Sequence, residues 1–566
     1  MTDSSKQGKK VVKVAVIGSG LAGLTTAYML TKGKTQPNVE FQVHLFEKNT
    51  MIGMDAASIS IGTKENDMRI DVPMRSFMSG YYAHLVRLYE HLDIPAKAAH
   101  FSFGWYTIQT TRAMTDQSKM QPHEMATYTE NRSYLTYSGA RTVGRLDAFV
   151  HTSSSWRSWF NSLWVMLVVG LSYSWLMILT LWLHHRGHLR NAQHPVAKMT
   201  LRQWLTQNRI HPYFIHQVFV PLFAAVCTNS WQAMLNYPAS EVLEYMAMGL
   251  FQESYVVTHG IRQVVERLAA PLTDIHLGVQ ITSIEPIKAE ESGRRQYVLK
   301  DDQGHSYDCD HLVFATQGNQ ALSMLQSCYD QVVEDSQDTT LVATLEAQIN
   351  MLKQFSYDTS LVINHTDTRL LPSDRQHWRA LNFGRIDPSL QLDPSESQYI
   401  IPYPHDTTMT THILNWTHAR LDQDNNNIDD DDNEEGDVVD DDNDSGFNED
   451  GASTSSTTLY LQTTNPCISP DPKHILSASW FERATVTLAS KRAIEADLFP
   501  PTNNNKNNKS ANSVTLGACQ GTNGIWFVGS YCWRGIPLLE GCVASAEKVV
   551  LDGISVQEDA QLTLPW

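Results

Sequence analysis

The stretch VAVIGSGLAGLTTAYML at residues 14–30 decides the fold. It begins inside the apolar, β-branched run VVKVAVI (11–17), which is typical of a strand buried on both faces. A glycine-rich turn follows at once, and LTTAYMLTKG continues as a helical segment. Because FQVHLFE (41–47) has the composition of a second strand, we expect the chain to open with a strand–helix–strand unit.

The glycine spacing in this unit predicts a site for a dinucleotide. Gly18 permits the tight turn after the strand, and Gly20 lets the backbone approach a pyrophosphate. Gly23 allows the helix to pack closely on the strand, while the helix N-terminus presents its N–H groups and dipole to the phosphates. Glu47 ends the second strand, where its carboxylate can accept hydrogen bonds from a ribose. This pattern fits NAD or FAD.

Three later segments favour FAD. IWFVGSYCWRGIPLLEGCVASAEKVV (525–550) pairs a buried strand with a helix that carries EGC at its start. It resembles the closing segment of flavoproteins with two dinucleotide-binding folds. YDCDHLVFATQG (307–318) and HGIRQVVERLA (259–269) resemble a strand-and-turn and a helix start of the same proteins. Their order along the chain is the order expected of such a flavoprotein.

Further segments carry a family resemblance: RIDVPMRSFMSGYYAHLVRLYEHLDIP (69–95), FVPLFAAVCTNSW (219–231) and SLVINHTDTRLLPSDRQHWRALNF (360–383). Together with the motifs above, they resemble the FAD-dependent amine oxidase and phytoene desaturase superfamily. Within it, the chain is most similar to the predicted NAD/FAD-binding oxidoreductases associated with cyclopropane-fatty-acid synthases. The resemblance implies an α/β fold, with a two-dinucleotide-binding, Rossmann-like FAD domain and an inserted α+β substrate domain.

The resemblance also implies non-covalent FAD and a set of residues that bind it. The chain departs from the family pattern at Met51 and Met54, where an arginine and a glycine are usual, and at Ser530, where an acidic residue is usual. Cys532 and Cys542 are expected to be packed thiols. No catalytic residue and no metal ligand is assigned. The predicted cofactor-binding residues are Gly18, Ser19, Gly20, Leu21, Ala22, Gly23, Glu47, Gly53, Ile281, Gly529, Ser530, Gly541 and Cys542.

The two domains are predicted to be assembled from separated parts of the chain. In the second part of the FAD domain, residues 275–287 and QYVLKDD (296–302) are expected to form a hairpin, and 307–316 a buried strand. The stretch from about 107 to 140 is polar and poorly patterned. Two low-complexity insertions, acidic at 422–456 and Asn-rich at 502–513, are expected to be disordered. The predicted parts are 1–110, 255–330 and 515–566 for the FAD domain, and 111–254 and 331–514 for the substrate domain.

Composition indicates a cytosolic protein that does not bind nucleic acid. The net charge is −18, but residues 422–450 contain 15 Asp and Glu and no Lys or Arg, so the rest carries about −3. The seven cysteines are dispersed without a CxxC pair, which indicates reduced thiols. The N-terminal MTDSSKQGKK lacks the apolar core of a secretory signal.

An apolar block at 159–183 leaves three interpretations open: a transmembrane span, a helix or hairpin inserted into one leaflet, or a soluble core helix. Its 21 residues from 163 to 183 carry no formal charge, about the length that crosses a bilayer. Its four tryptophans favour a membrane interface, and Gly170 offers a bend for a hairpin. A single span would divide the FAD domain between two compartments unless the short apolar run 213–227 also crossed, so we expect insertion into one leaflet with the catalytic domain in the cytosol. The particular membrane is not predicted.

These features predict an FAD-dependent oxidoreductase that transfers a hydride from a lipid-like, membrane-partitioned substrate to flavin N5. A flavin amine oxidase is the alternative within the enzyme class, and a degenerate, non-catalytic flavin- or nucleotide-binding membrane scaffold is the alternative outside it. The expected partners are the lipid bilayer and a small-molecule or lipid substrate. His365 and Asp367 lie in a family-like stretch, but a solvent-facing turn after a strand is expected equally.

Overall fold

A computed structural model describes residues 9–35, 39–61, 68–111, 128–139, 144–150, 155–288, 295–335, 338–386, 407–417, 458–501 and 514–566. The predicted acidic insertion and the Asn-rich loop lie outside these residues. Within the described ranges the chain forms two large sheets, one parallel and one almost wholly antiparallel.

The first large sheet has five parallel strands in a Rossmann-like order. Lys10–Ile17 lies between Val39–Glu47 and His311–Phe314, and the outer strands are Asp274–Leu277 and Ile525–Phe527. As the sequence predicts, strands from three separated parts of the chain share this sheet. The strand order reverses beside the central strand, and ligands of such sheets bind at the carboxyl ends of the strands near that point.

Two stretches predicted as single strands are pairs of strands. The stretch 275–287 divides at Gly278 into Asp274–Leu277, in the parallel sheet, and Ile281–Lys288, in a separate antiparallel sheet. Gly278 has a φ of +67°, a left-handed conformation that redirects the chain. The stretch 307–316 divides in the same way, so both single-strand predictions are wrong. The strands of the separate sheet, in order, are Ile281–Lys288, Arg295–Asp301 and Ser306–Cys309.

The second large sheet has eight strands. Its neighbouring strands are antiparallel except for Leu381–Ile386 and Phe103–Thr111, which run parallel. The polar stretch 107–140, in which the sequence showed no pattern, contributes to Phe103–Thr111 and contains Tyr128–Tyr137. In order across the sheet, the strands are Ile475–Thr485, Ser356–His365, Leu461–Thr464, Met409–Ile413, Leu381–Ile386, Phe103–Thr111, Tyr128–Tyr137 and Leu146–Ala148.

Short strands and helices complete the described structure. One small sheet contains Phe77–Met78, Ser254–Val257 and Ala96–Ala98, and another contains Ile59–Ile61 and Met68–Ile70. A π-helical segment joins two of the helices, so that Pro212–Cys227 is continuous. The α-helices are Leu21–Lys32, Ala83–His91, Ser155–His185, Leu201–Gln207, Pro212–Phe214, Val220–Cys227, Trp231–Asn236, Ala239–Gly249, Arg262–Ala269, Gly318–Asp335, Thr339–Leu352, Leu414–Thr417, Leu488–Ala493, Leu539–Val549 and Ser555–Gln557.

The apolar block forms one helix, Ser155–His185, of 31 residues. The helix runs without interruption through Gly170, so the hairpin alternative is wrong. Among the described helices, it is the one long and apolar enough to cross a membrane. It buries a stripe that includes Val165, Val169 and Leu176, which are four and seven residues apart, or about one and two helical turns. The opposite face exposes Trp156, Trp159, Phe160, Leu163, Trp164, Leu167, Leu171, Tyr173, Trp175, Ile178, Leu181 and Trp182.

Candidate functional site

The carboxyl ends of the parallel strands open into a cavity of about 1340 Å³. Most of the predicted cofactor-binding residues line it, although they come from distant parts of the chain. Gly23 and Gly541 do not line the cavity and instead allow close packing near it. The predicted residues that do line it are Gly18, Ser19, Gly20, Leu21, Ala22, Glu47, Gly53, Ile281, Gly529, Ser530 and Cys542.

The three glycines of the N-terminal turn meet different surroundings. Gly18 has a φ of +103°, and a Cβ there would lie 2.9 Å from the carbonyl oxygen of Ala315. A Cβ on Gly23 would lie 1.9 Å from the carbonyl oxygen of Gly18, so any side chain would separate the helix from the strand. A Cβ on Gly20 would meet no protein atom within 4 Å. The space beside Gly20 is therefore available to a ligand.

Glu47 is buried at the end of its strand and is fixed by hydrogen bonds. Its Oε2 accepts from the backbone N (3.1 Å) and Oγ (2.7 Å) of Ser19. Its Oε1 accepts from the backbone N (3.0 Å) and Nδ2 (2.8 Å) of Asn49. These four bonds use the acceptor capacity of the carboxylate. A ribose hydroxyl would replace the Ser19 hydroxyl or the Asn49 amide, because those two side chains can rotate.

The C-terminal segment brings a second helix N-terminus to the cavity. The backbone N of Gly529 donates to Ser545 Oγ (3.0 Å), which ties the turn after the last strand to the helix Leu539–Val549. A Cβ on Gly541 would lie 3.1 Å from the carbonyl oxygen of Ser530, so glycine lets the helix start approach that turn. Ser530 lines the cavity at the position where the family pattern has an acidic residue.

The two nearby cysteines are not activated thiols. Burial raises the pKa of Cys542 to about 11, and burial also raises the pKa of Cys532. Cys542 lines the cavity, whereas Cys532 does not. Because the thiolate is the nucleophile, both cysteines are unreactive at neutral pH. This agrees with packed thiols and a non-covalent cofactor.

Taken together, these residues fit a dinucleotide such as FAD. The open space beside Gly20 lies next to the N-terminus of Leu21–Lys32, which is the arrangement that receives a pyrophosphate. Glu47 lies on the same wall and is an acceptor for hydroxyl groups. Met51, at the position of the usual arginine, is 49% exposed and supplies no charge to a phosphate.

The remaining walls of the cavity combine apolar patches with polar side chains. They come from Pro212–Cys227 and from the eight-stranded sheet. Phe103 and Phe383, on neighbouring strands, stack with their ring centroids 6.0 Å apart. The apolar side chains from these two elements include Phe103, Leu222, Phe223, Ala225, Val226, Leu381 and Phe383.

Two arginines that the sequence did not single out also line the cavity. Arg75 donates from Nη2 to the carbonyl oxygen of Met54 (3.0 Å). Arg483 has a buried Nε without a hydrogen-bond partner in the described structure. Burial, followed by the charge of Arg75, lowers the pKa of Arg483 to about 10. Arg75 lies in the family-like segment 69–95, but no sequence pattern distinguishes Arg483.

The other candidates named from the sequence, His365 and Asp367, lie away from the cavity. Both are buried rather than part of a solvent-facing turn, so that expectation is wrong. His365 Nε2 is hydrogen-bonded to Thr463 Oγ1 (2.7 Å), and its Nδ1 accepts from the backbone N of Asp367 (3.1 Å). Asp367 is paired with Arg369 (2.6 Å). These contacts hold the sheet together and leave neither group for a substrate.

Comparison with known proteins supports the dinucleotide-binding fold. A model of the NAD(P)-binding Rossmann-like domain matches residues 16–92, which include the glycine turn and Glu47. No curated protein matches the chain. The Rossmann-like assignment therefore rests on the strand order and on this family model.

Several solved structures are similar to the chain over 97% of its length. One is a protein from Exiguobacterium sp. 255-15 assigned as a protoporphyrinogen oxidase, with 11% identity, a TM-score of 0.48 and 100% of that chain covered. Another is a putrescine oxidase variant with a redesigned cofactor site, with 10% identity, a TM-score of 0.47 and 100% covered. A third is cyclohexylamine oxidase from Brevibacterium oxydans IH-35A, with 11% identity, a TM-score of 0.46 and 99% covered.

Proposed function

We propose that the protein is an FAD-dependent oxidoreductase that removes a hydride from a lipid-like substrate at a membrane surface. When bound, FAD would supply the acceptor for that hydride. The observation that carries the proposal is the cavity itself. It extends from the glycine turn to apolar walls built by Pro212–Cys227 and the eight-stranded sheet.

The cofactor half of the cavity offers a distinct group for each part of FAD. The turn at Gly20 and the N-terminus of Leu21–Lys32 would hold the pyrophosphate through backbone N–H groups. Glu47 would accept from the ribose, and the N-terminus of Leu539–Val549 would face the other end of the cofactor. The groups assigned to these parts of FAD all lie at the same cavity in the fold.

The apolar half suits an alkyl chain. Phe383 is almost fully buried and stacks with Phe103, and the two rings form an apolar patch beside Thr410 and His412 of the next strand. Leu222 and Val226 belong to the same cavity and come from the helix Pro212–Cys227. Walls of this kind exclude water, which protects hydride transfer from competing reactions.

The long helix provides the connection to a membrane. Its exposed face is a continuous apolar surface, far larger than the scattered apolar residues of ordinary protein surfaces. Its buried stripe packs on the body of the protein, so the exposed face would enter one leaflet with the helix lying in the membrane plane. The helix touches the start of Pro212–Cys227, with Trp164 and His211 at a ring distance of 5.8 Å. Val226, near the other end of that second helix, is 40% exposed and lines the cavity.

The test is the absorbance of the protein purified in detergent and then made anaerobic. We expect a flavin spectrum that bleaches when a long-chain lipid is added without any reductant. Bleaching by a primary amine alone would support the flavin amine oxidase alternative. A flavin spectrum that no candidate substrate changes would support the scaffold alternative, and a colourless folded protein that FAD does not stabilise would contradict flavin binding altogether.

A further inference from the structure

The cavity is lined by two guanidinium groups that form no ion pair with any residue the structure describes. Within the described part of the chain, Arg75 makes a hydrogen bond to a carbonyl oxygen but no ion pair. Arg483 makes neither, although its Nε is buried. Both arginines line the cavity, and the charge of Arg75 contributes to lowering the pKa of Arg483.

The carboxylates near Arg75 have other partners. Asp55 is paired with Arg69 (2.6 Å) and with Arg262 (3.2 Å). Asp71 accepts a hydrogen bond from the backbone N of Ile261 (2.8 Å). Among the described residues, no carboxylate forms an ion pair with Arg75 or Arg483, although Asp358 lies opposite Arg483 in the sheet and Glu482 lines the same cavity.

The arrangement is unfavourable without an anion. Two like charges repel, and burial withholds the water that would otherwise solvate them. The pKa of Arg483 is lowered to about 10 by burial and by Arg75, so the group is still charged at neutral pH. A guanidinium presents its donors in a planar fork that matches a carboxylate or a phosphate. An oxyanion would satisfy both the charge and the unused donor.

We propose that Arg75 and Arg483 bind the anionic group of the substrate, which makes the substrate an acidic amphiphile such as a long-chain carboxylate. The apolar chain would then lie along Leu222 and Val226, which line the same cavity. This inference rests on the proposed function, because it names the class of substrate for the same site. The cofactor itself carries oxyanions, and the experiment separates that source from the substrate.

The test compares two probes of equal chain length, dodecanoate and dodecan-1-ol, on the FAD-loaded protein in a nonionic detergent. Binding is measured by calorimetry and by the shift in the thermal unfolding midpoint. We expect dodecanoate to bind at least about tenfold more tightly than the alcohol, because only the carboxylate offers a negative charge and two acceptor oxygens to the guanidinium groups. R483Q should reduce that preference to less than about threefold, and R483K should retain part of it through its charge.

Arg385 supplies the matched control. It lies on Leu381–Ile386 of the same sheet, and its Nε also lacks a hydrogen-bond partner in the described structure. Its guanidinium lies over the ring of Tyr134 (5.8 Å) and does not line the cavity. R385Q should therefore leave the preference for dodecanoate unchanged. If R483Q fails to fold, R75Q provides the same comparison.

Three results would overturn the inference. One is a wild-type protein that binds the acid and the alcohol equally. Another is a variant R483Q that retains the preference. The third is an R483Q protein that loses FAD, which would assign the guanidinium to the cofactor. Dodecanoate binding is also measured without FAD, so a protein that binds dodecanoate but never FAD would contradict the proposed function and leave the anion site supported.

Discussion

At the scale of single residues, Gly20 and Gly23 have separable roles. A side chain on Gly20 points into open space, whereas one on Gly23 collides with the backbone of Gly18. We expect Gly20→Ala to keep the free energy of unfolding within about 1 kcal/mol of the wild type, since the backbone at Gly20 (φ −63°) accepts alanine. Its affinity for FAD should fall at least about tenfold, because the methyl group occupies the space that a pyrophosphate needs.

Gly23→Ala is the matched comparison. It should lower the free energy of unfolding by about 1–3 kcal/mol through overpacking between helix and strand. Denaturant unfolding of the two apoproteins, together with FAD titration, checks both statements. Equal loss of stability in the two variants would show that Gly20 is structural and does not face the cofactor.

His365 makes the stability of the fold depend on pH. Burial lowers its pKa from 6.5 to about 4, and the side chain is 0% exposed. The unfolded chain therefore takes up a proton at a higher pH than the folded protein does. The stabilising contribution is full above pH 6.5 and is lost as the pH falls through about 4, on the order of 3 kcal/mol in all. Asp367 has a pKa of about 2 despite burial, because of its bonds to Arg369 and the backbone, so its stabilising contribution is full above pH 3.8 and is lost only below that value.

Denaturant unfolding of the wild type and of His365→Gln between pH 7 and pH 4 measures this contribution. Glutamine cannot titrate in that range and can still bond Thr463. The variant should therefore lose less stability than the wild type over the interval. Parallel curves for the two proteins would show that His365 is protonated as readily in the folded state as in the unfolded one.

The sequence predicts residues whose roles depend on near neighbours in the chain. It does not predict residues whose roles depend on the pairing of strands that are far apart in the chain. The glycine turn could be predicted because Gly18, Gly20 and Gly23 lie within a few residues of one another. Their spacing in the sequence therefore shows the turn directly. Arg483 could not, because it reaches the cavity through the pairing of its strand with Ser356–His365, in which it lies opposite Asp358. Nothing near Arg483 in the sequence encodes that register.

At the scale of elements, the two faces of Ser155–His185 should respond differently to substitution. Leu167, Leu171 and Ile178 are 54%, 70% and 59% exposed. Replacing all three by glutamine should release the protein from membranes, because the apolar area that enters the leaflet is removed. Each change should alter the free energy of unfolding by no more than about 0.5 kcal/mol, since it affects no buried contact.

Leu176→Ala tests the opposite face. Leu176 is 0% exposed, so its truncation should cost about 2–5 kcal/mol of stability while membrane binding persists. Flotation with vesicles and extraction with alkaline carbonate measure binding, and denaturant unfolding measures stability. A triple glutamine variant that still floats with vesicles would show that another surface attaches the protein.

Elements were predicted well where hydrophobic pattern and local turns agree. The helix Ala83–His91 and the strand Ile525–Phe527 follow from their apolar spacing. The change of sheet at Gly278 was missed because the residues on both sides of it are suitable for strands. The strands Phe103–Thr111 and Tyr128–Tyr137 were missed because their few buried apolar residues, such as Trp105, Ile108 and Leu135, stand among polar residues that pair within an eight-stranded sheet.

At the scale of the whole molecule, both ends of the long helix should lie on one side of the membrane. Arg157 and Arg186 are exposed near its two ends, and the seven native cysteines are buried or half-buried. We expect cysteines introduced singly at these positions to react with a membrane-impermeant maleimide from the same side of sealed vesicles. A transmembrane helix would expose only one of them to the reagent. Labelling of one variant and not the other would contradict insertion into a single leaflet.

The overall assembly could be predicted from the sequence because the motifs of the parallel sheet are specific. The strands that carry them must lie in one sheet to form the dinucleotide site. The three parts that supply its strands lie far apart in the chain but share one sheet. The eight-stranded sheet could not be predicted, because its order follows from non-local pairing that leaves no local motif. The cavity between the two therefore became visible only in the structure.

The most direct test of the central claim is the absorbance of the purified protein under anaerobic conditions, with the substrate supplied in vesicles. The proposed path from the cofactor half of the cavity to a membrane predicts a flavin spectrum that bleaches when vesicles containing an oxidisable long-chain lipid are added. The triple glutamine variant of the long helix should carry the same flavin and bleach more slowly. A protein that folds but neither carries nor binds FAD, or a flavin that membrane lipids never reduce, would contradict the account.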